Sequence, residues 1–149
     1  SGLADRVPGF ICAQAAGCSP IATAFARGDE HVSPFPDPHT IAHAIENPFP
    51  PSGNRVLLEL RSRKWHSLAA TEDEIVRAQA DMARSGLFGQ PAAAVPLATL
   101  RQARAKGIVK EGERVALVLT GSGLKYTAAF ASHRLHWEDC DLAGLAERL

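Results

Sequence analysis

The sequence predicts an α/β fold: a three-layer, doubly wound and mostly parallel sheet with helices on both faces. Residues 115–119 (VALVL) form a continuous, β-branched apolar run that is too short for a helix. Such a run is typical of a fully buried central strand of a parallel sheet. Residues 7–13 (VPGFICA) form a second short apolar run, which is interpreted as a buried strand. Segments with helical spacing lie between the two runs, and this alternation favours the α/β class.

The first half of the chain contains one clear helix signal. Residues Pro20–Arg27 begin with proline at the first helical position and are followed by Gly28, which predicts a helix with both ends marked. A short helix is expected over residues 40–46, whereas residues 55–63 fit either a strand or a helix. Prolines make loops of residues 32–38 and 47–53.

The second half contains two longer predicted helices. Thr71 and Glu74 match a capping box, which starts a helix that Gly86 closes. A further helix is expected from Gln90 or Pro91 to residue 106, with a kink at Pro96 near its first turn. About three strands among five or six helices would leave long sheet edges open, so we expect a partner or the rest of a longer chain.

Composition excludes several classes of function. The 149 residues carry 16 Lys+Arg and 16 Asp+Glu, so the chain has no basic surplus with which to bind nucleic acid. A hydrophobic content of 46% is too high for a disordered chain. No apolar run approaches the roughly eighteen residues that span a membrane, so we expect no membrane segment. One compact domain over residues 1–149 is therefore the expectation.

The cysteines indicate a reducing compartment. Cys12, Cys18 and Cys140 are odd in number and form no CxxC pair, so reduced thiols are expected rather than a disulfide framework. Residues 1–6 have neither the basic start nor the apolar stretch of a signal peptide. Together these features predict a cytoplasmic protein.

Residues 120–125 (TGSGLK) carry the clearest ligand signal, because they follow the predicted central strand. Open α/β sheets bind ligands at the carboxyl ends of their strands. Glycines let backbone amides approach an anion, and the Thr120 hydroxyl offers a donor and an acceptor. The segment does not fit the spacing of a nucleotide P-loop. The residues alone therefore predict an anion or cofactor site beside Thr120, with a simple tight turn as the alternative.

Other candidate clusters are weaker. Two arrangements are conceivable metal sites: His133, His136, Cys140 and Asp141 near the carboxyl end, and His39 with His43 on one predicted helix face. Both are more simply explained as surface residues, and we expect no metal. Arg61, Arg63 and Lys64 form a basic cluster that a solvated helix end explains better than an anion site does. No Ser-His-Asp or Cys-His arrangement is evident from spacing.

Five segments together resemble the threonine synthases, which are fold type II enzymes that use pyridoxal 5'-phosphate (PLP). Residues 7–21 resemble P-x-x-x-x-x-Q-A-x-G-x-x-P, and residues 38–45 resemble P-x-T-I-A-x-A-I. Residues 71–75 resemble (T/S)-D-E-E-I with one swap, residues 86–94 resemble G-x-F-x-E-P-A-S-A, and residues 120–125 match T-G-x-G-L-K. The five landmarks occur in the family's order.

The resemblance implies roles for particular residues. The Thr120 hydroxyl would bond the pyridine nitrogen of PLP and leave it largely unprotonated. The turn formed by Gln14, Ala15, Ala16 and Gly17 would pass close to the cofactor ring, and Gln90 would also lie near it. The implied reaction, in an enzyme of the lyase class serving amino-acid biosynthesis, converts O-phosphohomoserine and water to threonine and phosphate.

The sequence also departs from the family pattern. Gln90 replaces a glutamate, Ala93 replaces a serine, Tyr126 stands where aspartate is common, and Pro96 interrupts a usually smooth helix. Alternatives therefore stay open: another fold type II enzyme, such as a threonine dehydratase or cysteate synthase, a non-catalytic binding or regulatory module, or a stand-alone nucleotide-binding domain.

The family's Schiff-base lysine and phosphate cup lie upstream of the segment that residues 7–21 resemble. The resemblance thus implies that this chain is the C-terminal portion of the PLP-binding large domain, with no catalytic residue of its own. We expect it to be inactive alone and to require the N-terminal remainder or a second chain carrying it. A small amino-acid substrate and a homo-oligomer are also implied.

Overall fold

The computed structural model describes residues 7–126 together with Asp141 and Gly144. Within this part of the chain, two strands and four α-helices follow one another: β1 (Ile11–Ala15), α1 (Pro20–Arg27), α2 (Gly53–Ser62), β2 (His66–Ala70), α3 (Glu72–Arg84) and α4 (Pro91–Ala105). Two short 3-10 turns, His43–Ile45 and Gly123–Lys125, lie in the connections. The conceivable metal ligands His133, His136 and Cys140 lie outside the described residues.

The strands β1 and β2 pair in parallel, with Ile11 opposite His66 and Ala15 opposite Ala70. Helices α1 and α2 pack on one face around Ile21, Leu57 and Leu60. Helices α3 and α4 cover the other face, where the buried residues are Ala15, Ala42, Ala70, Ile75, Ala78, Met82, Ala92, Ala94, Val95 and Ala98. Alternate residues of β1 serve the two faces, since Cys12 packs with the first cluster and Ala15 belongs to the second. This three-layer arrangement confirms the predicted α/β class.

The predicted central strand at residues 115–119 is wrong for the described structure. These residues have no regular secondary structure, and Val115, Val118 and Leu119 are 45%, 70% and 42% exposed. A parallel strand requires a neighbour that accepts and donates its backbone hydrogen bonds. Neither β1 nor β2 supplies one to this segment. Apolar side chains on a stretch without a sheet neighbour remain exposed, however strongly their composition favours a strand.

The strand β2 was not predicted, because its sequence HSLAA has neither a β-branched residue nor apolar alternation. It forms because β1 and the helices on both faces bury it: Leu68 is 8% exposed and Ala70 is fully buried. The buried strand expected at residues 7–13 is confirmed only in part, because β1 begins at Ile11 and extends to Ala15. Residues 7–10 have no regular secondary structure and are exposed.

The helix predictions were mostly confirmed. Helix α1 has the predicted bounds, with Gly28 in the left-handed region at φ 80°. Residues 55–62 are helical and belong to α2, which Arg63 follows as the C-cap residue. The expected helix at residues 40–46 is only a 3-10 turn. The Ile41 N–H donates to the Glu72 side chain, and the Ala42 N–H donates to the Thr40 hydroxyl. Residues 40–42, which precede the 3-10 turn, are therefore held outside helical geometry.

The predicted capping box is present at the start of α3. The Thr71 hydroxyl accepts from the Glu74 N–H, and the Glu74 carboxylate accepts from the Thr71 N–H at 2.8 Å. Gln102 of α4 donates to the same carboxylate at 2.8 Å and to the Ala69 carbonyl at 3.0 Å. Burial alone would raise the pKa of Glu74, but these hydrogen bonds outweigh it and lower the pKa. The cap therefore ties α3, α4 and β2 together.

Replacing Thr71 with alanine should lower the free energy of unfolding by about 1 kcal/mol, because an N-cap side chain is lost. Urea denaturation followed by circular dichroism measures the change. Thr71→Ser is the matched control and should stay within about 0.5 kcal/mol of the parent, since serine also caps helices. Equal losses in both variants would contradict a capping role for the hydroxyl.

Glu74→Gln tests the same cap through pH. Because folding lowers the pKa of Glu74, its contribution is present above the unfolded carboxyl pKa and is lost as the pH falls through the lower folded value. The stability difference between the parent and Glu74→Gln should therefore be larger at neutral pH than near about pH 3. A difference independent of pH would contradict this prediction.

Candidate functional site

The carboxyl ends of β1 and β2 meet at one edge of the sheet. A tight turn follows β1, in which the Cys18 N–H donates to the Ala15 carbonyl at 3.0 Å. The Ala16 N–H donates to the Ala70 carbonyl at 2.7 Å and extends the strand pairing by one residue. This is the edge at which α/β sheets bind ligands. The predicted turn at Ala16 and Gly17 therefore lies at a suitable position.

Gly17 is fixed by the loop that crosses it. The His39 N–H donates to the Gly17 carbonyl at 2.8 Å, and a Cβ at Gly17 would overlap the His39 carbonyl oxygen. Glu72 holds the same loop, because its Oε2 accepts from the Ile41 N–H at 2.9 Å. Its Oε1 is buried and has no hydrogen-bond partner among the described residues. Only glycine allows this close approach of loop and turn.

The other two residues of the predicted turn are placed differently. The Gln14 side chain accepts a hydrogen bond from the Ala22 N–H of α1 at 2.9 Å, which directs its amide toward that helix. Ala15 is fully buried in the core. Gln14 and Ala15 thus hold the turn in place, while Ala16 and Gly17 form its outer part.

A second turn, residues 87–90 before α4, holds the glycine-rich segment. The Gln90 N–H donates to the Gly121 carbonyl at 3.0 Å, and the Gly123 N–H donates to the Phe88 carbonyl at 2.9 Å. A Cβ on Gly121 would lie 2.7 Å from Gln90 Nε2, and a Cβ on Gly123 would lie 2.6 Å from the Phe88 ring. These glycines therefore permit close side-chain packing, and the Gly123 amide is used within the chain rather than offered to an anion.

Thr120 immediately precedes this contact and is exposed. The structure thus brings Thr120 near Gln90 through Gly121. The turn at Gly17 and the segment at Thr120 are thus both described, and no hydrogen bond joins them within residues 7–126.

A cavity of about 210 Å³ lies beside Gln90. Polar side chains of His43, Lys125 and Tyr126 line it together with apolar residues that include Ile41 and Pro91. His43 Nδ1 lies 3.0 Å from Glu46 Oε2, and the His43 ring packs edge-on against Tyr126 at 5.5 Å. An ammonium, an imidazole and a phenol suit a small anionic ligand. Sequence reasoning missed this cavity, because His43 and Tyr126 lie 83 positions apart (126 minus 43).

The remaining candidate clusters have structural explanations or lack ligands. No group of three or more His, Cys, Asp or Glu residues able to hold a metal occurs in the described part of the chain, and His39 with His43 gains no third ligand there. Arg63 bonds Glu59 at 2.7 Å and lies over the Trp65 ring at 5.1 Å, which suits a solvated helix end.

Two cysteines lie in the described part of the chain. Cys12 and Cys18 are free, and burial raises the pKa of both thiols. Among the described residues, none of the helices has both the length and the apolar character needed to cross a membrane.

Comparison with known proteins gives a family match over most of the chain. Residues 2–121 match the family model described as "Pyridoxal-phosphate dependent enzyme". The chain is 36% identical to threonine synthase of Methanocaldococcus jannaschii over 126 residues, which are 84% of this chain and 31% of that protein. It is 37% identical to threonine synthase of Mycobacterium leprae over 125 residues, 83% of this chain and 32% of that protein. The chain thus spans about a third of the length of these relatives.

Solved structures agree on the fold. Threonine synthase from Escherichia coli superimposes with a TM-score of 0.66 at 21% identity, over 95% of this chain and 32% of that one. Maize serine racemase superimposes with a TM-score of 0.60 at 17% identity, over 94% of this chain and 37% of that one. Identities this low support the shared fold alone.

Gly17→Ala should destabilise the protein by about 3 kcal/mol or more, because the new methyl group meets backbone that cannot rotate away. Gly9→Ala is the matched control, since a Cβ there has nothing within 4 Å. Thermal denaturation of both variants measures the difference. Equal melting temperatures for the two variants would contradict the close approach of His39.

Proposed function

This chain belongs to the family of pyridoxal-phosphate dependent enzymes, and on that premise we propose that it forms one wall of a threonine synthase-like active site, facing the pyridine ring of PLP. The reaction is the conversion of O-phosphohomoserine and water to threonine and phosphate. The observation that carries the proposal is identity of 36–37% to threonine synthases over 83–84% of the chain.

The residues at the site fit the ring side of this cofactor. Thr120 is an exposed residue with a neutral hydroxyl, and Gln90 near it is also uncharged. A neutral donor to the pyridine nitrogen leaves that nitrogen largely unprotonated, whereas a carboxylate would hold a proton on it. When bound, PLP supplies an electron sink that stabilises negative charge on a substrate carbon. The Thr120 hydroxyl moderates that capacity.

Two further features of the chain shape the substrate side. The small residue Ala16 lies at the sheet edge, whereas the space beside Gly17 is taken by the His39 carbonyl. The 210 Å³ cavity beside Gln90 is smaller than the pockets that take drug-sized ligands, and it suits a small amino acid. Its Lys125 ammonium attracts an anionic group of the substrate, and His43 and Tyr126 offer hydrogen bonds to that group.

The covalent chemistry belongs to another part of the enzyme. All four lysines, Lys64, Lys106, Lys110 and Lys125, are exposed, and none lies at the carboxyl end of β1 or β2. A lysine that bonds the cofactor and moves substrate protons needs a sheltered position in which its pKa can be lowered. We therefore propose that the catalytic lysine and the phosphate cup come from the polypeptide that completes the enzyme.

The exposed apolar segment at residues 115–119 supports the same conclusion. Its side chains are apolar on both faces and it lacks a sheet neighbour among the described residues, as expected for a strand that a completing polypeptide would pair and cover. The assembled enzyme is proposed to be a homo-oligomer. The free thiols Cys12 and Cys18 are compatible with the reducing cytoplasm.

Thr120→Val tests the proposed contact with the cofactor. Valine keeps the shape of threonine but removes the hydroxyl. The variant enzyme should therefore bind PLP about tenfold more weakly, and the bound cofactor should show a shifted absorption band. Thr120→Ser keeps the hydroxyl and should resemble the parent in both measurements. Turnover of O-phosphohomoserine should likewise fall in Thr120→Val and stay near the parent value in Thr120→Ser.

Unchanged affinity and absorption in Thr120→Val would refute the assignment of this hydroxyl. Normal cofactor binding in the parent enzyme without turnover of O-phosphohomoserine would instead retain the PLP site and reject the threonine synthase reaction.

A further inference from the structure

No sheet among the described residues sets the position of Thr120. Residues 113–120 precede the glycine-rich segment without regular secondary structure, and no described strand pairs with them. Within this part of the chain, the backbone hydrogen bonds nearest to Thr120 are made by the residues that follow it. We propose that Gln90 is a positioning residue for Thr120, acting through Gly121, and that buried Gln79 fixes the turn on which Gln90 lies. The inference deepens the proposed function and rests on it for the role of the Thr120 hydroxyl.

The first step is the contact between the turn and the glycine-rich segment. Two backbone hydrogen bonds join them, from Gln90 to the Gly121 carbonyl at 3.0 Å and from Gly123 to the Phe88 carbonyl at 2.9 Å. Gly89 and Ser122 form an isolated antiparallel bridge between these bonds. The Gln90 side chain then packs directly over Gly121. Thr120, one residue away, has little freedom to shift while this contact is intact.

The second step is the anchoring of the turn itself to α3. Gln79 is 8% exposed, and its Nε2 donates to the Gly89 carbonyl at 2.9 Å. The Leu87 N–H donates to the Met82 carbonyl at 2.9 Å. A Cβ on Gly89 would lie 3.0 Å from the Met82 Cε. A continuous set of contacts thus runs from the buried face of α3, through residues 87–90, to Gly121.

The third step explains why glycine stands at position 121. Four described glycines have positive φ, Gly28, Gly86, Gly107 and Gly112, and Gly121 is not one of them. A side chain at this position is therefore not opposed by a left-handed backbone, and the three nearest atoms that a Cβ there would meet all belong to the Gln90 side chain. Alanine at position 121 can settle only if Gln90 or the Thr120–Gly121 backbone moves. This makes the pair suitable for a double-mutant cycle.

The experiment compares Gly121→Ala, Gln90→Ala and the double variant, with Gly9→Ala as control because a Cβ there meets nothing within 4 Å. Two quantities are measured: the amide chemical shift of Thr120 in the isotope-labelled chain, and the PLP affinity and absorption band of the loaded enzyme. Gly121→Ala should shift the Thr120 amide and lower PLP affinity about tenfold. The PLP affinity of the double variant should lie within about threefold of that of Gln90→Ala alone. The reason is that removing the Gln90 side chain makes room for the new methyl group at position 121.

Gln79→Met extends the test to the anchor. It keeps the length of the side chain, removes the hydrogen bond to Gly89, and should shift the Thr120 amide in the same direction as Gly121→Ala. Gln79→Glu keeps the length of the side chain but replaces the amide donor with a carboxylate oxygen. The Thr120 amide shift of this variant should therefore also differ from that of the parent.

The outcomes separate the two proposals. If Thr120→Val impairs PLP binding but Gly121→Ala leaves both the Thr120 amide and PLP affinity unchanged, the positioning role is refuted and the proposed function stands. If Gly121→Ala moves the Thr120 amide and Gln90→Ala reverses it while Thr120→Val has no effect on PLP, the positioning contact is supported and the proposed cofactor role fails. If the losses of PLP affinity in Gly121→Ala and Gln90→Ala simply add in the double variant, the coupling between positions 90 and 121 is also refuted.

Discussion

The parallel pairing of β1 with β2 is the interaction on which the other features depend. It brings the ends of both strands to one edge, so that the turn at Gly17 and the start of α3 become neighbours. Glu72, the first residue of α3, then reaches the loop that crosses Gly17. Gln102 of α4 bonds the Ala69 carbonyl of β2, which fixes α4 relative to the sheet. Gln90 is the N-cap residue of α4. The position of Gln90 and of the glycine-rich segment beside it therefore also follows from this pairing.

Local signals in the sequence predicted the helices well. Proline and glycine mark the ends of α1, and the capping box marks the start of α3, because these signals act through backbone geometry within a few residues. Strands depend on neighbours instead. The unremarkable sequence HSLAA is a strand because β1 lies beside it, whereas the strongly apolar segment 115–119 is not, because no described strand does. Composition alone cannot supply that information.

The sequence indicated candidate site residues but not the contacts that hold them. The resemblance placed Gln90, Thr120 and the turn at Gly17 around one cofactor ring, and in the structure Gln90 lies next to Gly121. The glycines at 121 and 123 were expected to present amides to an anion, but their close neighbours are the side chains of Gln90 and Phe88. Such contacts join residues about 30 positions apart, and one sequence cannot reveal them. An even larger separation, 83 positions (126 minus 43), concealed the cavity lined by His43 and Tyr126.

The central claim is that this chain supplies the ring side of a PLP site whose covalent lysine lies on the completing polypeptide. Borohydride reduction of the PLP-loaded enzyme, followed by mass spectrometry of the denatured chains, tests it most directly, because reduction makes the bond between PLP and its lysine permanent. We expect an adduct on a lysine outside residues 1–149 and none on the four lysines within them. A specific, stoichiometric adduct on Lys64, Lys106, Lys110 or Lys125 would contradict it.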